Sequence, residues 1–477
     1  MADKLTPQQA EAISNRGGKL LVSAAAGSGK TKVLVDRLLG YLTDPKDPAN
    51  LDEFLIITYT KAAASELRGK IAAKLTERIA EEPENRHLQK QMQRLFLTKI
   101  STVHGFCGDL LREYAYRLDL PADFRVADEN ECRELRETVL KDLLERAYTQ
   151  DNNEDFFAFV DTQGLGRDDR QVPETIMQVY DSARCHLDPE AWLQQCEELI
   201  GVQNVSDASQ SIYGCALMEQ FFSWLDLQIV ALERCAAEAA AAEGFEKPAA
   251  LLRDTVFQLQ HLRSSSTWDQ VCQRRIIDFG RMTFSKDAAD EDLKERIKAV
   301  RDACKKGIEK KTRPFTDASE QVLSDLSSSS DAVLGLTKLV RRFGESYDRA
   351  KRNRRIMDFG DLEHRMLDLL LGKKRTGLTT AAEDIASRFR EVMVDEYQDS
   401  NGVQDAIFSA LTNKRQNCFL VGDVKQSIYQ FRLADPGIFL EKYHAYTPAE
   451  YAVPGEGRKI LLSHNFRSGP EVVDAVN

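Results

Sequence analysis

The sequence predicts an α/β fold in which a parallel sheet is interrupted by a large, all-helical insertion. Strand-like apolar runs alternate with helix-like amphipathic stretches near the start of the 477-residue chain. The same alternation returns after about residue 390, whereas residues 115–350 show helical patterns with few strand-like runs. We therefore expect one α/β domain built from two separate segments of the sequence.

Two strand–helix units precede the insertion. The apolar run Lys19–Val22 leads through small residues into the amphipathic stretch Thr31–Leu42. The apolar run Phe54–Thr60 leads into the helical stretch Lys61–Leu75. Strands that alternate with helices in this way favour a parallel sheet.

The insertion and the segment after it complete this pattern. Ser-rich breaks at Ser264–Thr267 and Ser327–Ser330 and an Ala-rich run from Ala236 are predicted to be connections between helices. Three short apolar runs then predict buried strands at Glu391–Val394, Cys418–Val421 and Lys459–Leu462.

Composition excludes few classes of protein. The hydrophobic fraction of 42% and the charged fraction of 30% are ordinary for a globular chain. Nine cysteines without a CxxC pair indicate reduced thiols rather than a metal site. We predict a cytoplasmic protein with no membrane partner, because neither a signal segment nor an uninterrupted spanning run is present. A net charge of −11 does not exclude nucleic acid, which a local basic groove can hold.

The segment Ala24–Thr31, AAAGSGKT, has the pattern of a phosphate-binding loop between a strand and a helix, with Ala24 in place of the usual first glycine. Small residues let backbone N–H groups surround phosphates, and the helix N-terminus adds positive charge. Lys30 would neutralise the β- and γ-phosphates of ATP, and the Thr31 hydroxyl would bind Mg²⁺. The candidate nucleotide-binding residues here are Ala24, Ala25, Ala26, Gly27, Ser28, Gly29, Lys30 and Thr31.

Two acids follow the predicted strand Glu391–Val394 directly. Asp395 would bind Mg²⁺, and Glu396 would orient and deprotonate the attacking water. Many strands end in solvated acids, so the pair gains its meaning from the phosphate-binding loop in the same chain. Gln426, a short loop beyond the next strand, could sense the γ-phosphate through its neutral amide.

Two aromatic residues, Tyr429 and Phe431, lie just beyond Gln426 and would project alike from an extended segment. Such residues suit stacking on the bases of a single strand, which is worth about 1–3 kcal/mol per base. Packing in the core is an equal alternative.

Eight motifs together resemble the UvrD/RecB-like superfamily 1 helicases. They occur in the family's order between Leu5 and Ser468: LTPQQ, AAAGSGKT, ITYTKAAASELR, ISTVHGFC, MDFGDL, VDEYQDS, GDVKQSIYQFR and LSHNFRS. The segment FRVADENE, from Phe124, is most similar to the AddA group of helicase–nuclease subunits, with RecB-type and mycobacterial AdnA-type subunits as neighbours.

The resemblance implies an architecture and an activity. A RecA-like domain 1A would comprise residues 1–114 and 351–455, a helical domain 1B residues 115–350, and the start of a second RecA-like domain 2A residues 456–477. It implies an ATP-dependent 3′-to-5′ helicase that acts on single-stranded and duplex DNA with an AddB-like partner subunit in double-strand-break repair. We expect the nuclease domain and most of domain 2A to lie outside this sequence, which would then be inactive as a helicase by itself.

The resemblance also implies roles for individual residues. Gln9 and Arg37 would recognise adenine with Phe466 beside it, and Arg467 would contact the γ-phosphate. The residues that would contact DNA are Tyr59, Thr60, Thr102, His104, Tyr429 and Phe431. The basic stretches Lys305–Arg313 and Lys351–Arg355 could follow DNA phosphates or form solvated faces.

Two other classes of function stay open at this point. A nucleotide-gated binding module would use the same loop without motor work, although no guanine-reading NKxD motif follows the acids. A scaffold subunit with an inactive ATP site is disfavoured, because Lys30, Asp395, Glu396 and Gln426 are all present.

Overall fold

The computed structural model describes residues 5–150, 153–164, 171–201, 205–412, 416–427 and 434–466. The chain divides into two compact units. We call Met1–Arg146, Met177–Glu190 and Arg342–Asn477 the sheet-bearing unit, and Ala147–Ile176 with Ala191–Arg341 the helical unit. The helical unit is therefore smaller than the predicted insertion, because residues 115–146, for example, pack with the sheet-bearing unit.

The strands of the described residues form two sheets, both in the sheet-bearing unit. The larger sheet has the order β3-β2-β6-β7-β1-β9-β8, and all its neighbouring pairs are parallel. The smaller sheet pairs β4 with β5. The strands are β1 (Lys19–Ala24), β2 (Phe54–Thr58), β3 (Lys99–Thr102), β4 (Arg125–Val126), β5 (Ile356–Met357), β6 (Glu391–Val394), β7 (Cys418–Gly422), β8 (Thr447–Pro448) and β9 (Arg458–Leu462).

The helices follow the alternation that the sequence predicts. Before the helical unit lie α1 (Pro7–Ser14), α2 (Lys30–Leu42), α3 (Lys61–Glu81), α4 (Arg86–Arg94) and α5 (Val103–Glu113). The middle of the chain contains α6 (Glu129–Thr149), α7 (Glu154–Gly164), α8 (Gln171–Arg184), α9 (Pro189–Ile200), α10 (Ile212–Ala241), α11 (Glu246–Arg263), α12 (Trp268–Arg274), α13 (Glu291–Lys311) and α14 (Ser319–Arg354). The last segment contains α15 (Phe359–Leu371), α16 (Thr380–Ser387), α17 (Gly402–Thr412) and α18 (Pro436–Ala445).

Short 3₁₀ turns lie between several of these elements: Leu51–Glu53, Ala115–Arg117, Ala208–Gln210, Arg313–Phe315, Tyr397–Asp399 and Val424–Gln426.

The large sheet is buried on both faces, as a parallel sheet requires. Alternate residues of one strand contribute to different cores: Leu21 to the core that includes α5 and α15, and Leu20 to the core that includes α2 and α3. Nearly continuous apolar runs such as β2, all of whose residues are buried, follow from this two-sided burial. The predicted α/β class is confirmed.

Strand β9 corrects one predicted boundary. Residues 456–477 were assigned to the start of a second lobe, but β9 pairs in parallel with β1, with Val22 opposite Ile460. The backbone N–H of Ala25 also donates to the carbonyl of Leu462. The first sheet therefore extends at least to Leu462, because β9 satisfies the free edge of β1.

The helical unit has a core of its own, to which Leu225, Leu232, Leu252, Trp268 and Phe315 contribute. By length and apolar composition alone, one helix of the described residues, α10, could cross a membrane. A single helix of this kind is weak evidence for a membrane span, since a core helix passes the same test, and the first two of these leucines belong to α10.

Helix α14 corrects the predicted break at Ser327–Ser330, which lies inside this helix of 36 residues. The hydroxyls of Ser328 and Ser329 both donate to the carbonyl oxygen of Asp325, one turn earlier. Serine side chains that bond to the preceding turn can stay within a helix, so the run does not end it. The other predicted break, Ser264–Thr267, does separate α11 from α12.

Candidate functional site

The phosphate-binding loop lies between β1 and α2, at the carboxyl edge of the large sheet. Gly27 and Gly29 have φ angles of +72° and +85°, which L side chains rarely adopt. A Cβ atom on Gly29 would also lie 3.1 Å from Nε2 of Gln9. Glycine is thus required at this position, where the chain turns into the N-terminus of α2.

Gln9 supports this loop from α1. Its Nε2 donates to the carbonyl oxygen of Ser28 at 2.9 Å, and its Oε1 accepts from the backbone N–H of Thr6 at 3.0 Å. Gln9 is buried, and so is Ser28, whose Oγ has no hydrogen-bond partner among the described residues. Gln9 lies beside the loop as predicted, and the loop keeps a polar group available to a ligand.

Lys30 brings together the two halves of the predicted site. Its Nζ lies 2.9 Å from Oε2 of Glu396, 366 residues away in the sequence, and 3.0 Å from Oε1 of Gln426. Three separate strand ends, those of β1, β6 and β7, supply these residues. The sheet order explains the meeting, because β7 lies between β1 and β6 and all three run parallel.

The acids after β6 lie in an environment that favours their neutral form. Burial, followed by the nearby charge of Glu396, raises the pKa of Asp395 to about 6. Burial and the same charge raise the pKa of Asp399 to about 6. Glu396 itself has a φ of +52°, an uncommon conformation for a side chain of this kind. Several carboxylates held close together provide a site that a cation would stabilise.

These residues fit ATP with Mg²⁺. The first N–H groups of α2 have no partner within the helix, and Lys30 adds a cation at the same point. Thr31 and Asp395 offer oxygen atoms, the ligands that Mg²⁺ prefers. The unpartnered Oγ of Ser28 adds a further polar group to the loop.

Gln398 is a site residue that the sequence interpretation did not single out. Its Nε2 donates to Oε2 of Glu396 at 3.0 Å, and its Oε1 accepts from the backbone N–H of Asp423 at 2.9 Å. A Cβ atom on Gly422 would lie 2.5 Å from that Oε1. Gln398 therefore ties the loop after β6 to the loop after β7. Its place in the motif VDEYQDS was the available signal.

The predicted DNA-contacting residues of β2 and β3 lie along the same carboxyl edge. The Oγ atoms of Thr60 and Thr102 cap α3 and α5, accepting from the backbone N–H groups of Ala63 at 3.0 Å and Gly105 at 3.1 Å. The Tyr59 hydroxyl is hydrogen-bonded to the Ser400 hydroxyl. Both helix N-termini can attract phosphate, and both threonine hydroxyls keep a hydrogen to donate.

His104, in the first turn of α5, is held by two neighbours. Its Nε2 lies 3.0 Å from Oε1 of Glu363, and its ring stacks on Phe359 at 4.3 Å between centroids. The side chain is 29% exposed, so one part of the ring reaches solvent. Three of the predicted site residues, Tyr429, Phe431 and Arg467, lie outside the described residues.

Arg37 does not have the role that the resemblance implied. It is 1% exposed, and its guanidinium pairs with both carboxylate oxygens of Glu391 at 2.6 and 2.8 Å. Its remaining hydrogen bonds go to the carbonyl oxygens of Ala12 and Asn15. Because Glu391 begins β6, this pair lies toward the amino edge of the sheet. Arg37 therefore stabilises the fold, and the prediction that it recognises adenine is wrong.

Phe466 lies next to the phosphate-binding loop. Its backbone N–H donates to the carbonyl oxygen of Gly27 at 2.9 Å, and its side chain is 59% exposed. A ring at this point is available to a flat ligand.

The basic stretch Lys351–Arg355 is only partly a surface feature. Lys351 is buried, and its Nζ lies 2.6 Å from Asp361 and 3.2 Å from both Asp348 and Asp358. It cannot follow DNA phosphates while it neutralises these carboxylates. The other basic stretch, Lys305–Arg313, covers the end of α13 in the helical unit.

Comparison with known proteins identifies the class of protein that this fold and site define. The UvrD/REP helicase N-terminal domain matches residues 5–447, and the chain belongs to this family. The relatives that cover nearly the whole chain are more specific: each is named as the AddA-type subunit of an ATP-dependent helicase/nuclease. The family predicted from the eight motifs, and the group of helicase–nuclease subunits within it, are confirmed.

Three relatives illustrate the extent of the similarity. The protein from Acetivibrio thermocellus is 35% identical over 99% of this chain and 39% of its own length. That from Desulforamulus reducens is 36% identical over 100% of the chain and 39% of its own length. That from Listeria innocua is 36% identical, covering 99% and 38% respectively. The chain thus spans about two fifths of the length of the curated relatives it matches.

Proposed function

We propose that this chain carries the ATP-hydrolysing site of a DNA motor. The observation that supports the proposal most is the meeting of Lys30, Glu396 and Gln426 at one point of the sheet edge. A phosphate-binding lysine, a candidate general base and a neutral amide are the parts that phosphoryl transfer needs around one triphosphate.

The residues would divide the work as follows. Lys30 and the N-terminus of α2 bind the phosphates, and Thr31 and Asp395 hold Mg²⁺. Mg²⁺, when bound, neutralises charge on the phosphate oxygens. Glu396 orients the attacking water and accepts its proton at a carboxylate oxygen. Gln398, which donates to that carboxylate, limits the directions in which it can point.

Adenine would be held beside the loop by Gln9 and Phe466. Gln9 already contacts the loop through the carbonyl oxygen of Ser28, and Phe466 contacts it through the carbonyl oxygen of Gly27. An amide can hydrogen-bond to a base edge, and an exposed ring can stack on its face. Arg467 would add a contact to the γ-phosphate.

The DNA strand would lie along the ends of β2 and β3. Tyr59, Thr60, Thr102 and His104 offer hydroxyls, a ring nitrogen and two helix N-termini, which are suitable partners for a phosphate backbone. Tyr429 and Phe431 would add stacking on bases. ATP and DNA sites on neighbouring strands of one sheet are what a DNA-dependent ATPase requires.

For the whole protein we propose a 3′-to-5′ helicase that acts with an AddB-like partner subunit in double-strand-break repair, with an exonuclease activity. The name that the relatives share, which describes one subunit of a helicase/nuclease, supports this proposal. A nucleotide-gated binding module is the alternative. We favour the motor because Glu396 lies where a hydrolytic base is needed.

The test is the rate of ATP hydrolysis by the full-length protein with and without single-stranded DNA. We expect stimulation by DNA, and a loss of about 100-fold or more in Lys30→Ala and Glu396→Gln, because each removes a group that acts in the transition state. Lys74→Ala and Glu77→Gln, which disrupt an exposed ion pair on α3, are the matched controls. Hydrolysis that ignores DNA would favour the binding module, and unchanged rates in both variants would reject the site.

A further inference from the structure

Glu363, on α15, is a buried carboxylate with three side-chain donors around it. Its Oε1 lies 3.0 Å from Nε2 of His104 and accepts from Nε2 of Gln404 at 2.6 Å. Its Oε2 accepts from Nδ2 of Asn401 at 3.4 Å. The carboxylate is only 5% exposed, so it exchanges almost all its contact with water for these partners.

The environment keeps Glu363 ionised. Burial by itself would raise the pKa of Glu363, but the hydrogen bond and charge of His104, with the bonds from Gln404 and Asn401, lower it below its ordinary value. An ionised carboxylate only accepts hydrogen bonds. The hydrogen between the two side chains therefore belongs to Nε2 of His104, which fixes the tautomer or the protonated form of this ring.

Two contacts together fix the orientation of the His104 ring. Glu363 holds Nε2 at one side, and Phe359, four residues earlier on the same helix, stacks on the ring face. A ring bonded through Nε2 has Nδ1 left for another partner. The partial exposure of His104 keeps such a partner within reach of solvent.

Glu363 is in turn fixed by the segment that follows the catalytic acids. Asn401 precedes α17 and accepts from the backbone N–H of Gln404 at 2.8 Å, so both donors are rigidly placed. Gln404 and Asn401 thus connect the support of His104 to the same stretch of chain that carries Glu396.

We propose that Glu363 is a positioning residue for DNA binding, which holds the His104 imidazole in the orientation that presents the ring to a phosphate of single-stranded DNA. This inference rests on the proposed function and deepens its DNA site. Glu363 does not contact DNA itself. Its effect on DNA binding passes through His104.

The experiment measures DNA-stimulated ATP hydrolysis by the full-length protein over a range of single-stranded oligonucleotide concentrations. In Glu363→Gln we expect the concentration for half-maximal stimulation to rise about 10-fold, because hydrogen bonds to charged groups contribute this much or more. The rate at saturating DNA should change far less. Asp368→Asn, which removes a carboxylate of α15 that pairs with Arg365 and Arg375, is the matched control and should change neither quantity.

A double-mutant cycle with His104→Ala separates positioning from a general structural role. If Glu363 acts through His104, Glu363→Gln causes no further rise in a His104→Ala background. Equal rises in both backgrounds, or no rise in the single variant, would overturn the inference. Should Glu363→Gln fail to fold, Glu363→Asp replaces it with the same expectation, since the shorter carboxylate cannot reach all three donors.

The outcome also distinguishes this inference from the function on which it rests. Wild-type protein whose ATP hydrolysis ignores DNA would refute the motor and the inference together. Wild-type stimulation with an unchanged Glu363→Gln variant would refute the inference alone.

Discussion

The sheet-bearing unit and the helical unit bury different kinds of polar side chain. In the described part of the helical unit, every buried polar side chain is a serine or threonine: Ser211, Thr255, Ser265, Thr312, Ser319 and Thr337. In the sheet-bearing unit the buried set includes the ionisable residues Arg37, Lys351, Asp358, Glu363, His364, Glu391, Asp399 and Asp423.

The difference follows from what each kind of group needs. A hydroxyl can bond to a nearby carbonyl, as the Oγ1 of Thr255 does to Leu251 one turn earlier, and costs the helix little. A buried charge needs a partner of opposite sign brought in from another element. The sheet-bearing unit therefore depends on specific long-range pairs, whereas the helical unit depends mainly on apolar packing. Three predictions test this contrast.

The largest expected effect comes from Arg37→Met. Removing the guanidinium leaves Glu391 buried without its partner, which we expect to cost about 3–5 kcal/mol of unfolding free energy. Because Arg37 lies away from the phosphate-binding loop, the affinity of the folded protein for an ATP analogue should not change. Denaturant unfolding and analogue titration measure the two quantities.

A companion variant makes this test specific. Arg37→Met combined with Glu391→Met removes both charges and should recover much of the lost stability, since the pair is then absent rather than broken. If the double variant is no more stable than Arg37→Met, unpaired charge is not the cause. A large loss of analogue affinity would instead restore Arg37 to the adenine site.

Arg37 also shows what the sequence could and could not predict. The loop Ala24–Thr31 and the acids after β6 follow from local patterns, because each is a short motif at the end of an apolar run. Whether a single arginine on an amphipathic helix faces a ligand or a buried glutamate depends on a strand more than 350 residues later, as the pair Arg37–Glu391 demonstrates. No local pattern contains that information.

The same limit applies to β9 and to Glu363. The run Lys459–Leu462 was predicted correctly as a strand, but not its sheet, because strand neighbours are set by tertiary pairing. Glu363 stands in a motif that was noted, yet its partners His104 and Gln404 come from distant segments. Elements and motif-borne groups were therefore predictable, whereas the residues that support them were not.

A smaller effect, confined to stability, is expected in the helical unit. Leu225 is fully buried on α10, and Leu225→Ala should cost about 3 kcal/mol through lost burial and the cavity left behind. The rate of ATP hydrolysis per folded molecule should stay the same, because no part of the candidate site belongs to this unit. Thermal unfolding with a parallel activity assay checks both statements. A fall in activity without a fall in stability would contradict the division of roles.

The smallest expected effect concerns pH. Burial, followed by the charge of Arg184, lowers the pKa of His364 to about 4, and its Nε2 lies 2.8 Å from the carbonyl oxygen of Arg184. The unfolded chain binds a proton on this histidine below about pH 6.5, whereas the folded chain does not until about pH 4. Stability should therefore fall with decreasing pH across this window, by roughly 2 kcal/mol between pH 7 and pH 5.

Replacement of His364 should remove that part of the pH dependence. We expect His364→Gln, whose amide can still donate to the carbonyl of Arg184, to show a shallower loss of unfolding free energy over the same range. His261→Gln is the matched control, because His261 is an exposed histidine of the helical unit. If both variants keep the wild-type slope, the acid sensitivity does not come from buried His364. If His261→Gln shows the shallower slope instead, the contrast between the two units is wrong for titratable groups.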